Sequence, residues 1–267
     1  MISMSYPAES YEKYIVPALF SPWSARLIQS AHVQPGEHVL DVACGTGIVA
    51  RRIAPLVGSQ GMVTGLDLDP DKLSVAGSAS EREGLRIEWR ASPAEQLPFP
   101  DGSFDLVTCQ FGLMFFTDRH KALTEMHRVL KAGGRVVISV WQGLDRHPFY
   151  QSLDAVSRQY LGKSSVEAVF SLGDDGELRQ LLTDAGFQQV KIEPASITAR
   201  YSNPDEFIVW EIDADPAETP ALQSLDAQAQ QAILAAVRQD MRVALYAVMQ
   251  DGEVVLAYHA HFAHAGR

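Results

Sequence analysis

The stretch "HVLDVACGTGIVA", residues 38–50, carries the densest chemistry in the chain: an apolar run, the acid Asp41, then Gly45 and Gly47 two residues apart. Glycines in a loop that follows a strand let the backbone approach a ligand closely and take up positive φ without steric penalty. The segment "GTGIVA" fits the G-x-G-x-x-A form of a dinucleotide-binding fingerprint, and Asp67 follows the next strand at the spacing of a ribose contact. A pyrophosphate favours a loop free of nearby negative charge, whereas Asp41 stands directly before this one. The acid suits a cationic ligand.

These residues need strands and helices to hold them, and the sequence alternates the two. "EHVLDVA" reads as a buried strand and "GIVARRIAPLVG" as a helix closed by Gly58; "GMVTGLDL" is a second strand, and "DPDKLSVAGSASEREG" a helix opened by Asp-Pro. "LRIEWRA" is a third strand. After the turn "FPDGS", "FDLVTCQF" is a fourth, "DRHKALTEMHRVLKAGG" an amphipathic helix with a glycine stop, and "RVVISVW" a fifth. Strict alternation predicts an α/β fold with a doubly wound, mostly parallel sheet. Beyond Trp141, "DDGELRQLLTDAGFQQVKIEPASITARY" adds a helix and a strand, and "GEVVLAYHAHFAHA" is a final strand. The expected organisation is one structural domain: an N-terminal helical lid over 1–32, a cofactor-binding core over 33–145, and a completion of the sheet over 146–267. A helical lid insertion, interrupted at "DADPAETPA", occupies about 204–247.

With 267 residues, 46% of them hydrophobic, the chain can bury a full core. A formal net charge of −11 disfavours nucleic acid, whose binding draws on basic charge and counterion release. No apolar run reaches the ~18 residues of a membrane span, and "MISMSYPAES" lacks a basic-then-apolar signal pattern. Cys44 and Cys109 are too few for a disulfide framework and lack metal-ligand spacing. The expectation is a cytoplasmic protein with a small-molecule partner, without metal, nucleic acid or membrane. Oligomeric state leaves no mark in the sequence.

Several motifs in order resemble the class I S-adenosylmethionine-dependent methyltransferases. "VLDVACGTG" is similar to their first motif and "VTGLDLDPDKL" to their second, while "PAEQLPFPDGSFDLVTCQFGLMFF" and "HRVLKAGGRVVISVW" resemble the third to fifth. The nearest branch acts on small molecules and includes enzymes of ubiquinone and menaquinone biosynthesis. The resemblance spans about residues 33–145, and more weakly 172–198. It implies a Rossmann-like sheet of seven strands with the last antiparallel, the final two forming a hairpin around 204–247. It further implies S-adenosylmethionine as cofactor, S-adenosylhomocysteine as product, and direct displacement of the methyl group by a small organic acceptor.

Position by position, the family pattern makes Asp67 the acceptor for both ribose hydroxyls and Leu68 a packing surface for adenine. It sets the backbone of Ala43, Cys44, Gly45 and Gly47 against the methionine moiety, with Asp41 and the Gln110 carbonyl near its amino group. Many relatives carry an acid for the adenine amine where this chain has Pro93; Ser92 or the main chain around Ala94 and Glu95 must then supply the acceptor. Among the N-terminal aromatics, Tyr14 is singled out for cofactor proximity.

Methyl transfer needs alignment and exclusion of water more than a covalent residue. Where the acceptor must lose a proton, histidine is the usual base, and His147, in the loop after the fifth strand, is the first candidate. His259, His261 and His264 alternate along the final strand, which suits a packed or solvated face better than a site. Candidate walls of a substrate pocket are Phe111, Met114 and Phe115 after the fourth strand and Trp141 at the end of the fifth. Phe149 and Tyr150 beyond it, and Trp210 in the insertion, complete that set. Two other readings use the same glycines: an NAD(P)-dependent oxidoreductase, and a non-catalytic cofactor-binding protein.

Overall fold

The computed structural model describes residues 8–208, 211 and 220–267. Its centre is β1 (His38–Val42), buried on both faces, which pairs in parallel with β2 (Met62–Asp67) on one side and β4 (Phe104–Gln110) on the other. Outside these lie β3 (Glu88–Ala91), parallel to β2, and β5 (Leu130–Trp141), parallel to β4. The long strands β6 (Gln188–Tyr201) and β8 (Glu253–Gly266) finish the sheet, with β8 inserted antiparallel between β5 and β6 in the order β3-β2-β1-β4-β5-β8-β6. The expected seven strands gain an eighth, the two-residue β7 (Met249–Gln250), which folds back on the start of β8.

β6 and β8 form the expected hairpin, from Tyr201↔Val254 at its open end to Gln188↔Gly266. Between them the chain includes helices Pro204–Phe207, Pro220–Gln223 and Ala227–Ala247, the last packed on helix Pro148–Leu161. At the other end, Ala8–Ser10 leads into a π-helix, Tyr11–Phe20, and then helix Ser21–Ala31. One boundary departs from expectation. The helix beginning at Arg119 ends at Val129, and "LKAGG" is already the extended start of β5, with Leu130 paired to Phe104 ahead of a register shift. Gly133 there takes φ +77, so the glycines shape an irregular strand entry instead of a helix stop.

Parallel strands put all their carboxyl ends at one edge of the sheet. Chain order reverses around β1, whose two neighbours are reached by crossovers in opposite directions, so a crevice opens there beyond Val42, Asp67 and Gln110. The β1 loop is narrowed by a large neighbour from β3. A Cβ on Gly47, at φ +84, would stand 2.4 Å from Cη2 of Trp89, and one on Gly65 in β2 2.2 Å from Cζ3 of the same ring. The two glycines therefore make a seat for Trp89, whose Nε1 donates to Ser80 Oγ (3.2 Å). Replacing Gly47 or Gly65 by Ala is expected to lower stability by about 1–3 kcal/mol in urea denaturation. Trp89→Leu in the Gly65→Ala background should restore part of that loss, and no restoration would rule out the steric account.

Candidate functional site

A cavity of about 420 Å³ fills the crevice. Its floor is the loop after β1, where Ala43 (φ 55) and Gly45 (φ 57) both lie in the left-handed region. For alanine this is strain, and it recurs across the cavity at Phe111 (φ 53), the first residue after β4. The two strained loops touch. A Cβ on Gly112 would meet that of Ala43 at 2.5 Å, so only glycine allows this approach.

Asp41, 1% exposed, is the next-to-last residue of β1 and lines the cavity. Its Oδ1 accepts from the Thr108 hydroxyl of β4 (2.8 Å) and its Oδ2 from the Ala50 amide (3.2 Å) in the first turn of helix Ile48–Val57. No cation reaches it among the described residues, and burial pushes its carboxyl up to about 7. Asp67, ending β2, accepts from the Gly45 amide (2.7 Å) and the Asp69 amide (3.0 Å), one on each oxygen, which leaves lone pairs on both for a ligand. Asp69 is the helix cap, accepting from the Asp71 and Lys72 amides. Asp41, Asp67, Asp69, Asp71 and Glu95 face a single lining cation, Lys72, so the cavity is anionic.

Ser92, Pro93, Ala94 and Glu95 form another wall beside Leu68. Ser92 Oγ donates to the Gln96 carbonyl (2.9 Å) and keeps its lone pairs; Glu95 Oε1 is committed to the amides of Thr117 and Asp118 (3.0 and 3.3 Å). Gln110 donates from Nε2 to the Phe20 carbonyl (3.3 Å), while its Oε1 is buried with no partner among the described residues. The remaining wall is aromatic: Tyr11 and Phe20 from the N-terminal π-helix, and Phe111, Phe115 and Phe116 after β4.

The N-terminal segment is fastened over the site. Glu12 accepts from the Thr46 hydroxyl (2.6 Å) and pairs with buried Arg51, which also pairs with Glu83. Arg52 donates to the Ser21 carbonyl and hydroxyl and to Ser24. Burial, then the charges of Asp67 and Glu12, hold the Tyr11 phenol protonated well above its ordinary range. Lys72 sits 5.4 Å from the Tyr11 ring centroid.

The ubiE/COQ5 methyltransferase family matches residues 18–163. The ubiquinone/menaquinone biosynthesis C-methyltransferase UbiE of Pseudoalteromonas translucida is 35% identical over 182 residues, covering 62% of this chain and 72% of that protein. UbiE of Neisseria meningitidis serogroup A is 35% identical over 184 residues, covering 63% and 74%. The chain belongs to the ubiE/COQ5 methyltransferase family. It is an S-adenosylmethionine-dependent methyltransferase. The fold agrees: the YcgJ protein of Bacillus subtilis superimposes with a TM-score of 0.61 at 20% identity, covering 91% of this chain and 97% of that one. A methyltransferase-like protein of Bacillus halodurans gives 0.60 at 24%, with the same coverages. Phosphoethanolamine N-methyltransferase 2 of Haemonchus contortus, solved with S-adenosylhomocysteine, gives 0.56 at 19%, covering 92% and 52%.

The methyltransferase gathers Asp41, Ala43, Cys44, Gly45, Asp67, Leu68, Ser92, Ala94, Glu95 and Gln110 around the cavity, as the motifs imply. Three expectations need correction. Gly47 lies behind the wall, under Trp89. Tyr14 is outside the lining and Tyr11, three residues earlier, lies in it; a π-helix turns through more residues than the α-helix that periodicity assumes. His147 is 2% exposed and away from the cavity, with Nδ1 bonded to the Gly143 carbonyl (3.1 Å) and Nε2 accepting from the His259 amide (3.0 Å). Neither ring nitrogen is left for a substrate proton.

Of the pocket candidates, Phe111 and Phe115 line the cavity. Met114 is packed in the core, and Trp141 stands behind Phe111, stacked at 3.8 Å and 9°. Phe149 and Tyr150 are core residues beneath the C-terminal helices, and Tyr150 donates to Glu211 (2.6 Å). Trp210 lies outside the described residues. Thr108, Glu12 and Phe20 were invisible to motif reading, because their roles arise from contacts over long stretches of chain.

Burial pushes His147 down to about 4 from its ordinary 6.5. The unfolded chain therefore takes up the proton first, and stability contributed by the neutral ring is lost as pH falls from about 6.5 toward 4. His147→Gln keeps an acceptor for the His259 amide without titrating. Urea midpoints near pH 8 and near pH 5 should differ less in this variant than in the parent, and an unchanged difference would exclude His147 as the source.

Proposed function

We propose that the cavity holds S-adenosylmethionine with its ribose hydroxyls on Asp67 and its ammonium beside Asp41 and the free Oε1 of Gln110, and that the acceptor is a small, planar, electron-rich molecule seated against the phenylalanines. The carrying observation is the buried Asp41 carboxyl without a cation, one strand from a second carboxylate. A ligand with a sulfonium and an ammonium answers that charge, whereas the pyrophosphate of a nicotinamide dinucleotide would meet Asp41 and Asp67 with like charge. Ser92 Oγ and the main chain at Ala94, which line the cavity, would supply the acceptor for the adenine amine in place of the side chain that Pro93 lacks.

The bound sulfonium supplies an activated methyl group. When bound beside Asp41 and Asp67, it would pass that methyl group to the acceptor's electron pair with its carbon–sulfur bond breaking, and the acceptor's proton would leave to solvent. Phe20, Phe111, Phe115 and Phe116 exclude water and favour a flat apolar partner, and ring faces stabilise a nearby sulfonium. No histidine lines the cavity, so an acceptor activated by its own hydroxyl, such as a hydroxylated aromatic ring methylated at carbon, fits best. The relatives' printed reaction, C-methylation in quinone biosynthesis, points the same way. A cytoplasmic setting accompanies this reading, supported by two buried free thiols near the cofactor end of the sheet.

Asp67→Ala should weaken S-adenosylhomocysteine binding by about 1.5–3 kcal/mol in calorimetry, through loss of a charged acceptor. Unchanged affinity in a folded variant overturns the ribose assignment. Because Asp41 must be charged to meet the ammonium, affinity should rise as pH passes upward through about 7, with proton release on binding. Asp41→Asn should abolish that dependence. Incubation with hydroxylated aromatics and with alkyl amines, followed by mass spectrometry, tests the acceptor: methylation of amines alone would reject it.

A further inference from the structure

At the opposite, amino edge of the sheet lies a second groove, of about 780 Å³, which shares no lining residue with the catalytic cavity. Strand register explains it. Lys191 of β6 and His264 of β8 are cross-strand partners, as are Glu193 and Phe262, so these four side chains stand on one face of the sheet. Helix Ser21–Ala31 packs over β4 and β5 and covers Phe262 with Trp23 and Arg26, and its Arg26, Gln29 and Ser30 border the groove. Gly133, Gly134 and Gly266 line it without side chains to fill it.

What faces the groove is cationic, in a chain whose net charge is −11. Arg26 reaches from the helix over the Phe262 ring, 5.8 Å from its centroid, and makes no ion pair among the described residues. Lys191 pairs with Glu193 (2.5 Å), but Lys191 is largely and Glu193 about half exposed, and such a pair is worth little and is easily exchanged. Arg135 is held by Glu37 at the rim. His32 and His264 complete the set, and the His264 Nε2 is buried with no hydrogen-bond partner among the described residues. The buried His264 nitrogen lacks its complement, and it lines the same groove as Arg26, whose charge is shared with Glu193 without a direct ion pair among the described residues.

We propose that this groove is a second ligand site, for a small phosphate-bearing anion held between Arg26 above and Lys191 and His264 below. The donors approach from a helix on one side and two strands on the other, which suits the tetrahedral oxygens of a phosphate better than a planar carboxylate. Glu193 is the one lining acid, and the anion displaces it from Lys191. Burial holds the His264 imidazole below its ordinary value, while Glu193 is held low by Lys191 and stays charged. A buried neutral His264 ring keeps one nitrogen free to donate to an anion in the groove.

Calorimetric titration of the full chain with inorganic pyrophosphate tests the proposal, with S-adenosylhomocysteine affinity as the check that each variant is folded. Saturable binding is expected near pH 7, and about tenfold or more weaker in Arg26→Ala. Glu193→Gln should bind several-fold more tightly because Lys191 is released. Absence of saturable binding, or equal binding by Arg26→Ala, overturns the site, and succinate binding as tightly as pyrophosphate overturns its selectivity for phosphate.

Discussion

A carboxyl group without a cation sits one residue from the end of the interior strand β1, and much of the surrounding architecture follows from keeping it there. Asp41 tolerates burial because Thr108 and the Ala50 amide each give it a hydrogen bond. Those bonds exist only if β4 lies beside β1 in parallel register and if the helix after the glycine loop starts at once. Two neutral donors do not repay the desolvation of a full charge, which is why the carboxyl is pushed up to about 7. The protein carries an electrostatic deficit at this carboxyl.

The loops around that carboxyl are themselves held against their preferences. Ala43 and Phe111 occupy left-handed backbone, a cost the surroundings must offset. Phe111 is held by the hydrogen bond its backbone N–H donates to the Ser139 carbonyl (2.9 Å), by stacking on Trp141, and by the edge of Trp23 at 5.7 Å. Trp23 is wholly buried and also touches Phe262, so one aromatic column ties the cavity wall to helix Ser21–Ala31 and to β8. The N-terminal π-helix that precedes that helix closes the cavity through Tyr11 and Phe20 and is anchored by Glu12 on Thr46 and Arg51. Ligand site and covering segment are thus joined by buried polar contacts, where losing one partner is expensive.

The alternation of apolar runs and amphipathic segments was enough to read the parallel sheet, because periodicity and glycine punctuation act over a few residues. The same local signals misplaced the "LKAGG" boundary, since glycine suits a helix end and an irregular strand entry equally and pairing with Phe104 decided between them. Site residues near the ends of strands were legible where a motif names them. Gly47 was not: its role is to seat Trp89, 42 positions further along in the numbering and two strands away in the sheet.

His147 shows the limit most plainly. A histidine in the loop after β5 has the right type and place for a base, and only the packed structure shows both ring nitrogens spent on the Gly143 carbonyl and the His259 amide. The sequence by itself determined the α/β class, the ordered motifs of a methyltransferase and the acids at the strand ends, all of which follow from short-range pattern. Tertiary structure alone decided which aromatics face the cavity, which tyrosine of the N-terminal segment reaches it, and which histidine is free. Exposure and hydrogen-bond partnership belong to the packed neighbourhood of a side chain, and residues distant in the chain supply that neighbourhood.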